Sequence, residues 1–322
     1  MRHKTISMLP LVSILIPAYN AAPFLSRSVG SALAQTYGNI EIVIVDDGST
    51  DNTLEVANQL ASQDARVRVV HQGNQGPAEA RRTALHAAAG EYIAYLDADD
   101  ELLPDIINFL YERMMEHHLD MALGSMIKVA GENAFEVSHP VEGVFTSEEF
   151  LRFLFDRRCM CAQGEYLCRR EVWNDSLFPS RGEQLPNEDV LMYILLSAQV
   201  KRVGIFNKPA MKYHYVPTSL TSTSRLLRNL DGWETFFGHV EEHLRARGMM
   251  DSLAKELLCM KLDRLAFFVF PLDADKPWVR EAIHDNSHRL PVRYKILQRL
   301  LHFPALCHWC VQANRGLKRW FK

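Results

Sequence analysis

Residues 90–100 read GEYIAYLDADD, a short apolar run that ends in carboxylates. Residues 41–52 read EIVIVDDGSTDN and have the same form. An apolar run of this length, bounded by turn residues, is typical of a strand that is buried on both faces. Such strands occur in parallel sheets covered by helices, where ligands bind beyond the carboxyl ends of the strands. The two acidic clusters are therefore predicted to lie at the ligand-binding edge of a sheet.

The residues around these runs alternate between strand and helix patterns. We predict four strands, at residues 12–16, 41–45, 67–70 and 92–96, and four helices, at 23–35, from Asp51 or Thr53 to about 62, 77–89 and 104–118. Gly90 is expected to end the third of these helices. Strands alternating with helices predict an α/β fold with a mostly parallel sheet.

The second half of the chain is less regular. Apolar runs occupy residues 121–129 and 201–206, and helices are predicted at 147–155 and 189–198. From about residue 225 the pattern is helical throughout, with the main candidates at 226–247, 251–269 and 292–303.

The composition is that of a globular protein with a core. The 322 residues are 48% hydrophobic and 23% charged, which excludes a disordered chain, a collagen and a small disulfide scaffold. Residues 2–22 imitate a signal peptide, but residues 12–16 also fit a buried strand, which we expect instead. The six cysteines could form three disulfides, but a chain of this length does not need them, so we expect reduced thiols in a cytoplasmic protein. The Cys-His-Trp-Cys sequence at 307–310 has no second pair to complete a zinc site. No segment has 18 uninterrupted apolar residues, so the sequence predicts no clear transmembrane helix.

The C-terminal tail is basic. Residues 289–322 contain eight Lys or Arg and no Asp or Glu, mixed with Leu, Ile, Trp and Phe. An apolar face flanked by cations suits the surface of an anionic membrane, so we expect peripheral contact with the inner face of the cytoplasmic membrane. The alternative is a packed terminal helix with a solvated basic rim. No nucleic-acid partner is expected, because no binding motif accompanies the cations.

The glycine pattern limits the nucleotide chemistry. The chain contains no Gly-x-Gly and no Gly-Lys, so neither a dinucleotide fingerprint nor a P-loop is available to cradle phosphates. Asp97 and Asp99 can neutralise a diphosphate through a metal, because side chains at i and i+2 of an extended segment share a face. Two such carboxylates suit Mn²⁺ or Mg²⁺. A solvated acidic turn is the alternative interpretation.

The order of motifs resembles glycosyltransferase family 2. The motifs are residues 12–20 (VSILIPAYN), 41–52, 76–81 (GPAEAR), 90–100 and 187–189 (NED), and the resemblance covers roughly residues 10–220. It implies a GT-A fold (Rossmann-like) over residues 1–225, with a nucleotide-sugar half at about 10–120 and an acceptor half at about 121–225. A helical region with the basic tail would follow at 226–322.

The resemblance also implies an activity and a set of site residues. Family members transfer a sugar from a nucleotide sugar, most often a UDP-sugar, with inversion and a divalent metal, Mn²⁺ or Mg²⁺. Their acceptors include lipopolysaccharide, capsule and lipid-linked glycans. The residues that match the nucleotide-binding positions are Pro17, Tyr19, Asn20, Asp46, Asp47, Arg81 and Asp97. The metal ligands would be Asp99 and Asp97, with His214 as a candidate contact to metal or diphosphate. Asp189 would be the catalytic base, and Glu188 would orient the acceptor or the base.

Two other functions stay open. A nucleotidyltransferase is expected to carry a Gly-rich phosphate loop, which this chain lacks. A non-catalytic glycan-binding or scaffold protein on a transferase fold is the second, and the presence of Asp97, Asp99 and Asp189 argues against it.

Overall fold

The computed structural model describes residues 9–156, 158–159, 162–183, 185–214, 230–268, 277–284 and 290–301. The helices are α1 (Ala22–Leu33), α2 (Thr53–Gln63), α3 (Pro77–Ala87), α4 (Ile106–His117), α5 (Ser147–Phe155), α6 (Glu188–Ser197), α7 (Leu230–Ala246), α8 (Met250–Phe268), α9 (Pro277–His284) and α10 (Val292–Leu301). The strands are β1 (Val12–Ala18), β2 (Ile40–Asp47), β3 (Val67–Gln72), β4 (Tyr92–Tyr95), β5 (Glu101–Leu102), β6 (Met121–Ala130), β7 (Asn133–Val137), β8 (Gly143–Thr146), β9 (Tyr166–Arg169) and β10 (Arg202–His214).

The chain divides into two compact units, and each is discontinuous in sequence. The described part of the first unit is residues 9–147, 162–183 and 199–214. The described part of the second is residues 148–156, 158–159, 185–198, 230–268, 277–284 and 290–301. The boundary at residue 225, inferred from sequence, stays a prediction.

The first unit contains a ten-stranded mixed sheet in the order β3-β2-β1-β4-β9-β6-β10-β5, with β7 added to β6 and β8 to β10. Strands β1 to β4 are parallel to one another, as are β6 and β10. The shorter strands β5, β7, β8 and β9 are antiparallel to their neighbours. The predicted α/β fold with a mostly parallel sheet is confirmed.

The central strands form because their side chains are buried on both faces. Ile14, Leu15 and Ile16 of β1 are all fully buried, and β2 is buried along its whole length. Each such aliphatic side chain contributes about 1.5–3 kcal/mol when it is removed from water. Helices α1 and α4 contribute Leu25 and Leu110 to the same core cluster. This rigid centre fixes where the strand ends lie.

Gly90 has a different role from the one predicted. α3 ends at Ala87, and the capping residue Ala88 is extended, so no left-handed glycine terminates the helix. Instead a Cβ atom on Gly90 would lie 2.6 Å from Ser13 Oγ and 2.8 Å from the carbonyl oxygen of Leu11. The position requires glycine because the chain passes β1 too closely for any side chain.

The second unit is helical in its described part. Trp233, Phe236 and Phe237 of α7 are buried, and their rings are in contact. Lys261 of α8 is also buried, and its ammonium is 2.5 Å from Glu241 Oε1. No helix in the described residues is long and apolar enough to cross a bilayer. Residues 302–322 of the predicted basic tail lie outside the described residues.

Candidate active site

The carboxyl ends of β2, β1 and β4 lie side by side at one edge of the first unit's sheet. The three strands are parallel neighbours, and Ala18 at the end of β1 is paired with Asp46 of β2. Parallel α/β sheets bind their ligands in the loops at this edge. The sheet therefore brings the predicted nucleotide-binding residues of three strand ends to one place.

Asp47 holds the loop that follows β3. Its Oδ1 accepts hydrogen bonds from Gln72 Nε2 at 2.8 Å and from the main-chain N–H of Gln75 at 2.9 Å. Its Oδ2 accepts from the main-chain N–H of Gly76 at 2.9 Å. Gly76 has φ +90°, a conformation that favours glycine. Asp47 thus fixes the path into α3, and its contact with a base stays a prediction.

Asp46 carries a buried acceptor atom. Its Oδ2 lies 2.8 Å from His71 Nδ1. Its Oδ1 is buried, and no described residue donates a hydrogen bond to it. A buried acceptor without a donor costs about 1–3 kcal/mol. Oδ1 is therefore a candidate partner for an N–H group of a bound ligand.

The loops after β1 and β2 are tied together by Asn20. Its Oδ1 accepts from the main-chain N–H of Thr50 at 2.8 Å, and its own N–H donates to Ser49 Oγ at 3.0 Å. Asn20 has φ +49°, in the left-handed region that asparagine tolerates. The adjacent Tyr19 is 50% exposed, so its ring is open to a planar partner, whereas Pro17 is half-buried in β1.

Arg81 and Asp97 form a partly buried ion pair. Arg81 Nη2 lies 3.2 Å from Asp97 Oδ1, and the side chains are 7% and 33% exposed. Tyr95 OH donates to the carbonyl oxygen of Arg81 at 2.9 Å, and Ser28 Oγ donates to that of Asp97 at 3.2 Å. The guanidinium compensates the charge of Asp97 while part of this carboxylate stays accessible.

Asp99 and Asp100 follow in a turn with different environments. Arg27 Nη2 donates to the carbonyl oxygen of Asp99 at 2.6 Å. Burial raises the pKa of the Asp99 carboxyl, although its own main-chain N–H and the charge of Arg27 act in the opposite direction. Asp100 is almost fully buried and accepts from the main-chain N–H of His214 at 2.8 Å. Burial, then repulsion from Asp97, raises the pKa of Asp100 to about 9.

The ring of His214 contacts Glu101. Its Nε2 lies 2.7 Å from Glu101 Oε1, and Arg27 Nε lies 3.5 Å from the same oxygen. Lys212 Nζ is 3.7 Å from Glu101 Oε2. His214 thus lies beside Glu101 in the acidic cluster, and its contact with a metal or a diphosphate stays a prediction.

The donor atoms at this edge fit a hard divalent cation. Asp97 and Asp99 supply carboxylate oxygens, which Mn²⁺ and Mg²⁺ prefer. Within the described ranges, no group of three His, Cys, Asp or Glu residues is arranged to hold a metal. Magnesium sites commonly use one or two carboxylates and complete their shell with substrate phosphates and water. The two residues match that pattern.

Glu188 and Asp189 belong to the second unit. They occupy the first turn of α6 and are half-buried. Asn187 precedes them with φ +53°, and its carbonyl oxygen accepts the main-chain N–H of Leu191 at 3.0 Å. Carboxylates in the first turn are stabilised by the helix dipole. Their catalytic roles stay predictions.

Arg27 and Glu101 are site residues that sequence reasoning missed. Glu101 continues the acidic run after β4, so the run itself was a signal. Arg27 gave none, because its partner Asp99 lies 72 residues away and the residue occupies an ordinary helix position. Side-chain contacts over such separations depend on the fold.

The sequence is similar to known glycosyltransferases. The profile of the family described as Glycosyl transferase family 2 matches residues 13–176. The chain is 34% identical over 225 residues to the uncharacterized glycosyltransferase EpsJ of Bacillus subtilis, which covers 66% of this chain and 64% of EpsJ. It is 43% identical over 119 residues to the glycosyltransferase GlyG of Streptococcus pneumoniae, covering 37% of this chain and 40% of GlyG.

A 111-residue segment is 47% identical to the hyaluronan synthase of Pasteurella multocida, covering 34% of this chain and 11% of that enzyme. The matches therefore span less than two thirds of each of these relatives.

The fold also matches solved structures. The crystal structure of Staphylococcus aureus TarS residues 1–349 in complex with UDP-GlcNAc aligns with a TM-score of 0.59 at 19% identity. The alignment covers 92% of this chain and 88% of that one. This likeness confirms the predicted GT-A fold. Because the family profile covers half of the chain, the chain belongs to glycosyl transferase family 2.

Proposed function

We propose that this family 2 glycosyltransferase moves a sugar from a nucleotide sugar, a UDP-sugar above all, to a bacterial surface-glycan acceptor in one inverting displacement. The observation that carries the proposal is the carboxyl edge of the sheet, where Asp46 and Asp47 of β2 lie on one side of β1 and Asp97, paired with Arg81, lies on the other. The structural neighbour TarS was crystallised with UDP-GlcNAc, which supports a nucleotide-sugar donor of this kind.

The nucleoside would lie over the loops after β1 and β2. The exposed ring of Tyr19 is suited to pack on a base, with Pro17 and Asn20 holding the loop beneath it. The buried Oδ1 of Asp46 would accept a hydrogen bond from the base, and Asp47 would support that contact through the loop it fixes.

The diphosphate would lie next to Arg81 and Asp97. Asp99 would be the main ligand of a divalent ion, assisted by Asp97, with His214 near the diphosphate. Such an ion, when bound, supplies charge stabilisation for the departing nucleoside diphosphate. Arg81 holds Asp97 in place through the 3.2 Å contact.

The acceptor hydroxyl needs a carboxylate to take its proton. We assign this role to Asp189, because residues 187–189 match the family motif that carries the base. A positioned base contributes about 10²–10⁴-fold to a rate. Glu188, beside it in the first turn of α6, would orient the acceptor or the base. The proton passes from the hydroxyl to Asp189 as the oxygen attacks the anomeric carbon, and the bond to the diphosphate breaks.

The acceptor would be reached at a membrane surface. α10 buries Tyr294 and Leu301 and exposes Lys295, Ile296 and Arg299, with Ile296 53% exposed. Two cations beside an exposed aliphatic side chain suit the surface of an anionic bilayer. This placement fits a cytoplasmic enzyme whose acceptor is a lipid-linked glycan, lipopolysaccharide or capsule precursor.

Release of nucleoside diphosphate from a panel of nucleotide sugars tests the donor and the metal together. We expect wild-type protein with Mn²⁺ to cleave one donor slowly without acceptor. EDTA should abolish release, and Asp99→Ala should lower it at least about 100-fold, because a metal ligand supports several kcal/mol of transition-state stabilisation.

Asp105→Asn is the matched control. Asp105 lies six residues farther along and contacts Lys208 at the surface, so its loss should leave release unchanged. A wild-type protein that neither cleaves a donor nor binds UDP in the presence of Mn²⁺ would return us to the scaffold interpretation.

A further inference from the structure

The β6–β7 hairpin carries side chains that the proposed donor site does not use. Ala130 and Asn133 are the last pair, so Gly131 and Glu132 form a two-residue turn. Gly131 has φ +61°, which is required at the first central position of a type II′ turn. The register of the hairpin is therefore fixed by its turn and continues from β7 through β6 into β10.

Three of these residues form one row across the sheet. Lys128 of β6 is paired with Phe135 of β7 on one side and with Tyr213 of β10 on the other. Directly opposite residues project from the same face, and strands are about 4.8 Å apart, so the row is about 10 Å long. That length is comparable with a disaccharide.

The two ends of the row differ in exposure. Phe135 is 53% exposed, whereas Tyr213 is half-buried and packs against the core cluster. Lys128 Nζ lies 6.0 Å from the centroid of the Tyr213 ring. Tyr213 is thus a rigid support for the row, and Lys128 occupies its middle position.

The charge of Lys128 is not neutralised by a nearby carboxylate. Among the residues that the structure describes, none forms an ion pair with it within 4.0 Å. Glu136 is paired with Ile127, one position away, so it projects from the opposite face. Glu165 is close enough to interact, but it is fully buried, and burial raises the pKa of its carboxyl to about 8, which disfavours the charged form.

We propose that the row Phe135–Lys128–Tyr213 is an acceptor platform that binds a pyranose residue carrying a carboxylate or a phosphate. The proposal rests on the proposed function and names the acceptor class of the same enzyme. The C–H face of a pyranose is apolar and packs on an aromatic ring, while the ammonium attracts the anionic group. The row crosses β6 and β10 near their carboxyl ends, and both strands run parallel to β4. It therefore lies at the same edge of the sheet as the acidic cluster, with Tyr213 and the adjacent His214 projecting from opposite faces.

Three methyl glycosides that differ at one carbon test this recognition. Methyl β-D-glucoside is neutral, methyl β-D-glucuronide carries a carboxylate, and methyl β-D-glucoside 6-phosphate carries a phosphate. Saturation-transfer NMR titrations with the full-length protein would give a dissociation constant for each. We expect the acidic glycosides to bind at least about 3-fold more tightly than the neutral one. The two acidic probes distinguish a uronate from a sugar phosphate.

Variants assign the effect to the row. Lys128→Met should remove the preference for acid, and Lys128→Arg should keep it. Phe135→Ser should weaken the binding of acidic and neutral glycosides alike by at least about 3-fold, because it removes the stacking surface. Lys201→Met, at an exposed lysine outside the row, should bind all three glycosides like wild type.

Either of two results would overturn the proposal: equal affinity of wild type for all three glycosides, or an acid preference that persists in Lys128→Met. Mn²⁺-dependent UDP binding, measured on the same wild-type sample, reports the donor site separately. Bound UDP without an acid preference would refute the platform alone, whereas an acid preference without UDP binding would refute the proposed function.

Discussion

Asp46 and Glu165 each bury one carboxylate oxygen that no described residue satisfies. The two oxygen atoms lie in different environments. Asp46 ends a strand at the carboxyl edge and has His71 on its other oxygen. Glu165 is fully buried, and its other oxygen accepts the main-chain N–H of Ala162 at 3.1 Å. The first atom is the one that we propose contacts the base of a ligand, whereas the second belongs to a carboxyl group whose pKa is raised by burial.

Glu165 should make the protein less stable as the pH rises. Burial raises its pKa from 4.5 to about 8, so the unfolded state releases this proton at a lower pH than the folded state. The favourable contribution is complete below pH 4.5 and is lost between that value and about pH 8. A pKa difference of this size between the folded and unfolded states changes the free energy of unfolding by up to about 5 kcal/mol. Glu165→Gln cannot ionise, so its stability relative to wild type should increase from pH 5 to pH 8 in urea titrations.

Glu55→Gln serves as the reference for that measurement. Glu55 is exposed on α2, and its replacement should give a stability curve parallel to wild type at every pH. Asp100 also titrates above its ordinary range, but it is present in all three proteins, so its effect cancels in the differences. Parallel curves for Glu165→Gln and wild type would show that the carboxyl is not held neutral.

Among the helices and strands, the long patterned segments were predictable and the short paired ones were not. The strand predicted at 12–16 became β1, and the helix predicted at 147–155 became α5 with the same ends. β7 was missed because four of its five residues are exposed and it forms by pairing with β6. Such a strand depends on its partner more than on its own pattern.

The candidate site shows the same division. The acidic residues at the ends of β2 and β4 were evident from the sequence, because each follows an apolar run. Their hydrogen bonds were not, since Asp47 reaches 28 residues ahead to Gln75 and Asp100 reaches 114 residues ahead to His214. Sequence patterns locate residues on elements, and only the packed sheet brings these elements together.

Replacing Gly90 and Gly30 by alanine should have opposite effects on stability, because Gly90 is closely packed and Gly30 is an open helix position. Gly90→Ala would place a Cβ 2.6 Å from Ser13 Oγ and 2.7 Å from the Ser13 main-chain nitrogen, so β1 or the chain after α3 must shift. We expect a loss of about 1–3 kcal/mol in the free energy of unfolding, measured in urea. The same substitution at Gly30, which has no atom within 4 Å of a new Cβ, should stabilise α1 by about 0.5–1 kcal/mol. Equal effects at both sites would contradict the packing argument.

Across the whole molecule, charge is separated along the chain. The formal net charge is −3, yet residues 289–322 contain only basic charges, so the remainder is net acidic. A membrane with anionic lipids attracts the basic segment and repels the acidic remainder. In the described part of this segment, α10 buries Tyr294, Gln298 and Leu301 and leaves Lys295 and Arg299 exposed. Burial of one side of α10 leaves the cationic side accessible to lipid.

Charge reversal on α10 should weaken binding to anionic vesicles. Each basic residue near such a surface contributes about 1 kcal/mol, so Lys295→Glu combined with Arg299→Glu should reduce partitioning at least about 10-fold in a sedimentation assay. Lys201→Glu combined with Arg202→Glu makes the same change in net charge at exposed residues of the first unit and should have a much smaller effect. Raising the salt to 1 M should remove the difference, because the Debye length falls to about 3 Å. If both double variants bind equally, the attraction depends on net charge alone, and α10 is a packed helix with a solvated basic rim.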